Sequence, residues 1–145
     1  MCAIGRGLMA LPKILMFDLG VRNAILRRPL DRPLDDERGL LLEHLVGLEL
    51  RRREGGMWPE ARVQHFRTRR GAEVDFIVSV GRELWAIEVK ASSRVDVRDL
   101  KGLAAFADRA GDVARQIVVF LGARRQRLGR VELLPLEDFL AELPV

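Results

Sequence analysis

Residues 73–90 read EVDFIVSVGRELWAIEVK, two apolar runs, Glu73 to Val80 and Glu83 to Lys90, separated only by Gly81 and Arg82. Each run alternates well enough to read as a strand, and a two-residue link containing Gly signals a hairpin. Pairing across that turn sets Val80 against Glu83. Further down the ladder it sets Asp75 against Glu88 and Glu73 against Lys90, all four on one face. Directly opposed Cβ atoms lie roughly 4.5–5.5 Å apart, and like charges placed there repel. Two carboxylates so placed need a compensating cation. This is the pattern of a divalent-metal site with a lysine beside it.

A plainer reading stands next to it. Charged residues on the solvated face of an antiparallel pair are common, and an Asp…Glu-x-Lys pattern arises easily in a chain that is 32% charged. Three features favour chemistry. Ile77, Leu84 and Ala86 share the face with the acids, so it is at least partly covered. The other face (Val74, Phe76, Val78, Trp85, Ile87, Val89) is also apolar, as in a strand packed on both sides. The basic residues comprise 22 Arg and only 3 Lys, so a Lys at position 90 stands out. Its ammonium is a compact point charge that can orient a water, with a pKa that burial can lower.

The 145 residues suit one domain with a single core, and 48% hydrophobic content with mixed charge suits a soluble globular protein. The one cysteine, Cys2, excludes an internal disulfide and a Cys-based zinc site. The apolar run Ile14 to Phe17 is too short for a membrane span, and no long apolar segment marks a secretory signal. The expectation is a cytoplasmic protein with no membrane partner. Net charge is +4, with a pI near 10.2. The positive charge is clustered at Arg27-Arg28, Arg51 to Arg53, Arg67 to Arg70, and Arg124-Arg125 with Arg127. Such a surface favours a polyanion through counterion release, although Arg clusters at turns are often merely solvated. Arg67, Arg69, Arg70, Arg124 and Arg125 are the candidate nucleic-acid contacts.

Along the chain, residues 1–12 read as a tail or the remnant of an upstream region, and 13–145 as a single domain. Lys13 to Asp18 reads as a short strand and Gly20 to Leu26 as a helical turn or two. Asp35 or Asp36 caps a helix that runs to about Glu54, where Gly55-Gly56 stops it. Ala61 to Arg67 is a strand leading into the hairpin. Asp96 and Asp99, at capping spacing, open a helix that Gly111 ends. Gln116 to Leu121 reads as a buried strand, Arg124 to Gly129 as a basic turn, Val131 to Leu134 as a strand and Leu136 to Leu143 as a helix. This order describes an α/β structure, a mixed sheet flanked by helices, with a βαβ crossover from Lys90 to strand 116–121. On the long helix, Glu43 shares a face with Val46, Gly47 and Leu50. It is either half exposed or, if the helix covers the face of Asp75 and Glu88, a third acid of the same site. His44 and His65 show no spacing that argues for chemistry, and Trp58 and Trp85 read as core or edge aromatics.

The segments LLEHLV (41–46), GAEVDF (71–76) and IEVK (87–90) together resemble the PD-(D/E)XK, restriction-endonuclease-like superfamily. KILMFDLGVRNA (13–24) and FRTRRGAEVDF (66–76) are more closely similar to the C-terminal domain of unknown function that follows the ATPase in a family of prokaryotic AAA+ ATPases. The resemblance implies a restriction-endonuclease-like mixed sheet and a Mg²⁺- or Mn²⁺-dependent DNA endonuclease core. Asp75 and Glu88 would be metal ligands, Lys90 would lie near the attacking water, and Glu43 would be an auxiliary acid. Val74 stands where the superfamily's name has Pro. No G-x-x-x-x-G-K-[ST] phosphate loop occurs, so the chain is expected to be a fragment or remnant without its ATPase. Three functions follow: a metal-dependent endonuclease, a non-catalytic DNA-binding or specificity module for an AAA+ ATPase partner, or a protein-interaction domain with a salt-bridged acid–lysine patch that includes a Glu73–Lys90 pair. A homo-oligomer is compatible with each.

Overall fold

The computed structural model of the chain describes residues 14–29, 31–32, 34–68 and 71–144. The expected tail 1–12, Lys13, and the candidate contacts Arg69 and Arg70 lie outside these. The elements are α1 (Leu19–Ile25), α2 (Arg38–Arg53), β1 (Ala61–Arg67), β2 (Glu73–Val80), β3 (Glu83–Lys90), α3 (Lys101–Ala110), β4 (Arg115–Phe120), β5 (Gln126–Leu128), β6 (Val131–Pro135) and α4 (Leu136–Glu142). The strands form one open mixed sheet in the order β1-β2-β3-β4-β6-β5. β1, β2 and β3 are antiparallel, β3, β4 and β6 are parallel, and β5 returns antiparallel to β6. The chain is thus an α/β protein, its sheet covered by helices on both faces.

The hairpin register is as its turn dictates, from Val80↔Glu83 to Phe76↔Ile87. Gly81, at φ +58°, takes the left-handed conformation that a two-residue turn demands. Period-2 alternation then sorts side chains between two cores. Ile87 and Val89 pack with Leu42, Val46 and Leu50 of α2 and Phe139 of α4. Ala86, with Val118 and Phe120, packs on Leu103 and Phe106 of α3. The α3 entry bears out the capping spacing: Asp96 accepts from the Arg98 N–H, and Asp99 accepts from the Asp96 N–H at 2.9 Å.

Three local expectations are corrected. Residues 14–18 form no strand; Asp18 instead caps α1 by accepting the Val21 N–H at 2.8 Å. Neither Asp35 nor Asp36 caps α2, which is entered through a 3-10 turn at Asp35–Glu37 whose three acids face the positive end of the helix dipole. The basic turn 124–129 contains β5, because Gln126 to Leu128 find a partner edge in β6.

Arg115, at the start of β4, grips both carboxylate oxygens of Glu132 (2.9 and 2.8 Å) and reaches Glu142 at 2.9 Å. Its guanidinium also lies 4.8 Å from the Trp85 ring centroid. The Arg115 hydrogen bond holds the Glu132 carboxyl below its ordinary value against the opposing effect of burial. A depressed carboxyl pKa contributes stability that is complete above the ordinary value of 4.5 and is lost as pH falls towards the folded value. Arg115→Ala is therefore expected to cost about 1–3 kcal/mol at neutral pH. The difference from wild type should shrink in urea melts below pH 4.5; a pH-independent difference would show that packing on Trp85 dominates.

Candidate metal and nucleic-acid site

β1, β3, β4 and β6 run in the same direction, so their C-terminal ends, with the start of β2, share one end of the sheet. Asp75, Glu88 and Lys90 lie at this end. A β-bulge shapes it. Between Gln64↔Ile77 and Phe66↔Val74, β1 advances two residues and β2 three, so Asp75 and Phe76 together stand against His65. Bulges re-aim side chains and end regular pairing. Here the bulge moves Val74 onto the α3 side with Ile77, although unbroken alternation assigns it to the face of Phe76.

The regular ladder ends at Phe76↔Ile87, and Asp75 stands one residue beyond it, in the bulge. There a side chain makes the next link, as Asp75 Oδ2 accepts the Val89 N–H at 2.9 Å. Asp75 is 8% exposed, which makes it one of few buried acids. Glu88 and Lys90 alternate with Ile87 and Val89 and stand level with Val118 and Phe120, which places both on the α3 face. Lys90 Nζ donates to Glu88 Oε1 at 2.9 Å, while Glu88 Oε2 is buried with no hydrogen-bond partner. Burial first, and the charge of Asp75 second, push the Glu88 carboxyl up to about 7, with the Lys90 ammonium pulling the other way. Burial works to lower the Lys90 pKa, but the hydrogen bond to Glu88 and the charges of Glu88, Asp75 and Asp99 outweigh it and raise it. The ammonium therefore stays charged, contrary to the lowered value expected of a buried lysine.

Two neighbouring carboxylates, one carrying an unsatisfied buried oxygen, fit a hard divalent cation. Mg²⁺ commonly takes one or two protein carboxylates and completes its shell with water and phosphate. α2, which carries Glu43, packs on the face of Phe76, Ile87 and Val89. Its Gly47 lies against the Phe76 ring and Leu15, so the close approach that a Gly permits is used for packing. Glu43 is half-buried, one turn before Gly47. Among the described residues, no group of three His, Cys, Asp or Glu side chains could hold a metal ion. Glu73 pairs with Arg67 at 3.7 Å rather than with Lys90. Asp99, read from the sequence only as a cap, adds its charge beside Lys90. Nothing in its spacing signals this role, since α3 must dock before it draws near.

The strand order gathers much of the basic sequence at the same end. Arg67 ends β1, the 69–70 pair follows it in sequence, Arg94 lies just beyond β3, and Arg124 lies beyond β4. Leu121 N–H donates to Ser92 O at 3.0 Å, tying the last two loops together. Arg125 is committed elsewhere, to Asp138 at 2.7 Å and Glu142 at 2.6 Å. Arg51 to Arg53 sit at the other end, where α2 leads into β1. His44 is a tether, bonding the Met16 carbonyl at 2.8 Å, and Trp58 and Trp85 meet edge to face at the margin of a core. No described helix is long and apolar enough to cross a membrane.

A comparison with curated proteins finds no match. Among solved structures, a chain of the "Refined half-complex from tetradecameric assembly of Thermococcus gammatolerans McrB AAA+ hexamers with bound McrC" is similar, at 12% identity and a TM-score of 0.48. The similarity covers 67% of this chain and 27% of that one, so the present chain corresponds to little more than a quarter of its length. Residues 38–139, well over half of the chain, match the model of a family described as a domain of unknown function, DUF4143. The chain belongs to the DUF4143 family.

Proposed function

We propose that the chain is a nuclease-like domain of PD-(D/E)XK type that hydrolyses DNA phosphodiester bonds with Mg²⁺ or Mn²⁺ held by Asp75 and Glu88. The observation that carries this reading is that Asp75, held by the Val89 N–H, bears with its charge on Glu88, with Glu88 Oε2 buried and unsatisfied and Lys90 alongside. A divalent cation bound there supplies charge stabilisation on the phosphate and a more acidic water. The chain's own residues do the rest. The Val89 N–H fixes the Asp75 carboxylate, and Glu88 fixes the Lys90 ammonium, which is placed to hold a water or a non-bridging phosphate oxygen. Arg67, Arg69, Arg70 and Arg124 are the proposed backbone contacts, and Arg125 is not among them. Glu43, on the helix that packs against Phe76, is the proposed auxiliary acid.

Lys90→Ala separates holding the cation from using it. It is expected to retain Mn²⁺ binding by calorimetry while nicking of supercoiled plasmid falls about 100-fold or more. Undiminished nicking would remove Lys90 from the mechanism. A second reading is a non-catalytic DNA-binding or specificity module working with an AAA+ ATPase. It is favoured by the engagement of Lys90 with Glu88 in place of an open ammonium. On that reading, salt-sensitive DNA binding survives Asp75→Ala and Lys90→Ala, and no preparation cuts DNA at any metal concentration.

A further inference from the structure

At the end of the sheet remote from the acid pair, a cleft of about 430 Å³ opens between the start of β4 and the β5–β6 turn. Val113, Ala114, Gln116, Arg127, Gly129 and Arg130 line it. Its size lies in the range that holds small ligands, and its walls carry two guanidiniums and a carboxamide. Arg127 and Arg130 are both exposed, and neither forms an ion pair or hydrogen bond among the described residues. The missing partner has a structural cause. Arg127 stands directly opposite Glu132 across β5–β6, where a cross-strand ion pair is the ordinary outcome. Glu132 is instead taken by Arg115, which occupies both of its oxygens. Asp112, the neighbour of Val113 in the chain, is exposed and outside the lining.

Two exposed guanidiniums with no hydrogen bond or close ion pair among the described residues, Arg127 feeling the Glu132 charge only at longer range, stand beside a carboxamide donor and match a multiply charged oxyanion. Forked N–H groups recognise phosphate oxygens in pairs, and nothing acidic in the lining repels them. Val113 and Ala114 are small walls, too slight to hold a large apolar ligand. Gly129, at φ +59°, keeps the turn free of a side chain at the mouth. We propose that this cleft binds the diphosphate group of a small ligand, independently of the acid pair. The phosphate source is either free pyrophosphate or a nucleotide.

The test is an amide NMR titration of the full chain with sodium pyrophosphate, and in parallel with ADP, at constant ionic strength. Saturable shifts at Gln116 and Gly129, with an apparent Kd at or below about 1 mM, are expected. Arg127→Ala/Arg130→Ala should weaken them about tenfold or more, and Arg82→Ala, an exposed arginine outside the cleft, should leave them unchanged. Equal affinities would assign the site to free phosphate chemistry, and tighter ADP binding would assign it to a nucleotide. Both support the proposal. Linear, non-saturating shifts, or shifts that survive the double substitution in a folded variant, would overturn it. Plasmid nicking should be the same in the double variant as in wild type, so this result stands apart from that of the acid pair.

Discussion

Asp75→Asn is expected to leave the fold intact while abolishing Mn²⁺ binding and lowering DNA cleavage by at least about 100-fold. The carboxamide oxygen can still accept the Val89 N–H that Asp75 now accepts at 2.9 Å, so the ladder end keeps its hydrogen bond. What disappears is the negative charge that bears on Glu88. A second readout follows from linkage. In the metal-free protein, Glu88 is raised from 4.5 to about 7, so between these values the folded state binds more protons than the unfolded one. Its contribution is therefore a stability that falls as pH rises through that window, on the order of 1–3 kcal/mol in all. Asp75→Asn removes one cause of the shift and should flatten the decline. Mn²⁺ should reverse the decline in wild type and have no effect on the variant. Urea melts across that pH range, with and without metal, separate the two effects. A variant that still binds Mn²⁺ like wild type would refute the ligand assignment while leaving the fold untouched.

Gly102→Ala is expected to be among the most destabilising single-methyl changes in the chain. A Cβ at this position in α3 falls inside the carbonyl oxygen of Glu73. That atom is backbone at the start of β2 and cannot rotate away as a side-chain tip would. Either the helix lifts or the strand moves, and overpacking of this kind costs about 1–3 kcal/mol and occasionally more. For a domain of this size that corresponds to a melting temperature lower by about 3–12 °C. The same displacement reaches the site, since Glu73 is two residues from Asp75 and α3 covers the strand face that carries Glu88 and Lys90. Gly39→Ala is the control. Nothing lies within 4 Å of its added methyl, and helical propensity should make it stabilising by about 0.5–1 kcal/mol. A Gly102→Ala protein that melts with wild type would show that α3 does not dock as closely on β2 as its glycine permits.

The hairpin was legible because its information is local. Period-2 alternation and a Gly-containing two-residue link fix which residues share a face from the turn as far as Phe76 and Ile87. The capping pair Asp96 and Asp99, the stop at Gly55 and the parallel return into β4 follow from equally short-range chemistry. The bulge was not legible. It depends on how β1 meets β2 around His65, and no residue near Asp75 announces an extra position. Val74 changed sides for that reason. The segment 14–18 has a strand's composition, but composition makes a strand only where a sheet edge is free to accept it.

Glu43 illustrates the same divide. Helical spacing groups it with Gly47 and leaves open whether it is half exposed or turned to the sheet, and spacing within one helix cannot say which face of the sheet the helix will cover. α2 covers the side of Ile87 and Val89, and α3 the side of Ala86 and Val118. The sequence by itself determined the hairpin and most of the element order, since these depend on turn geometry and on the two-residue period of a strand. Only the tertiary structure decided that Glu88 keeps a buried unsatisfied oxygen, that Lys90 turns to Glu88 and Arg67 to Glu73, and that the loops of Arg94 and Arg124 converge where the acids lie. Burial, competition among ion-pair partners and the ordering of strands in a sheet are properties of packing, and no window of neighbouring residues contains them.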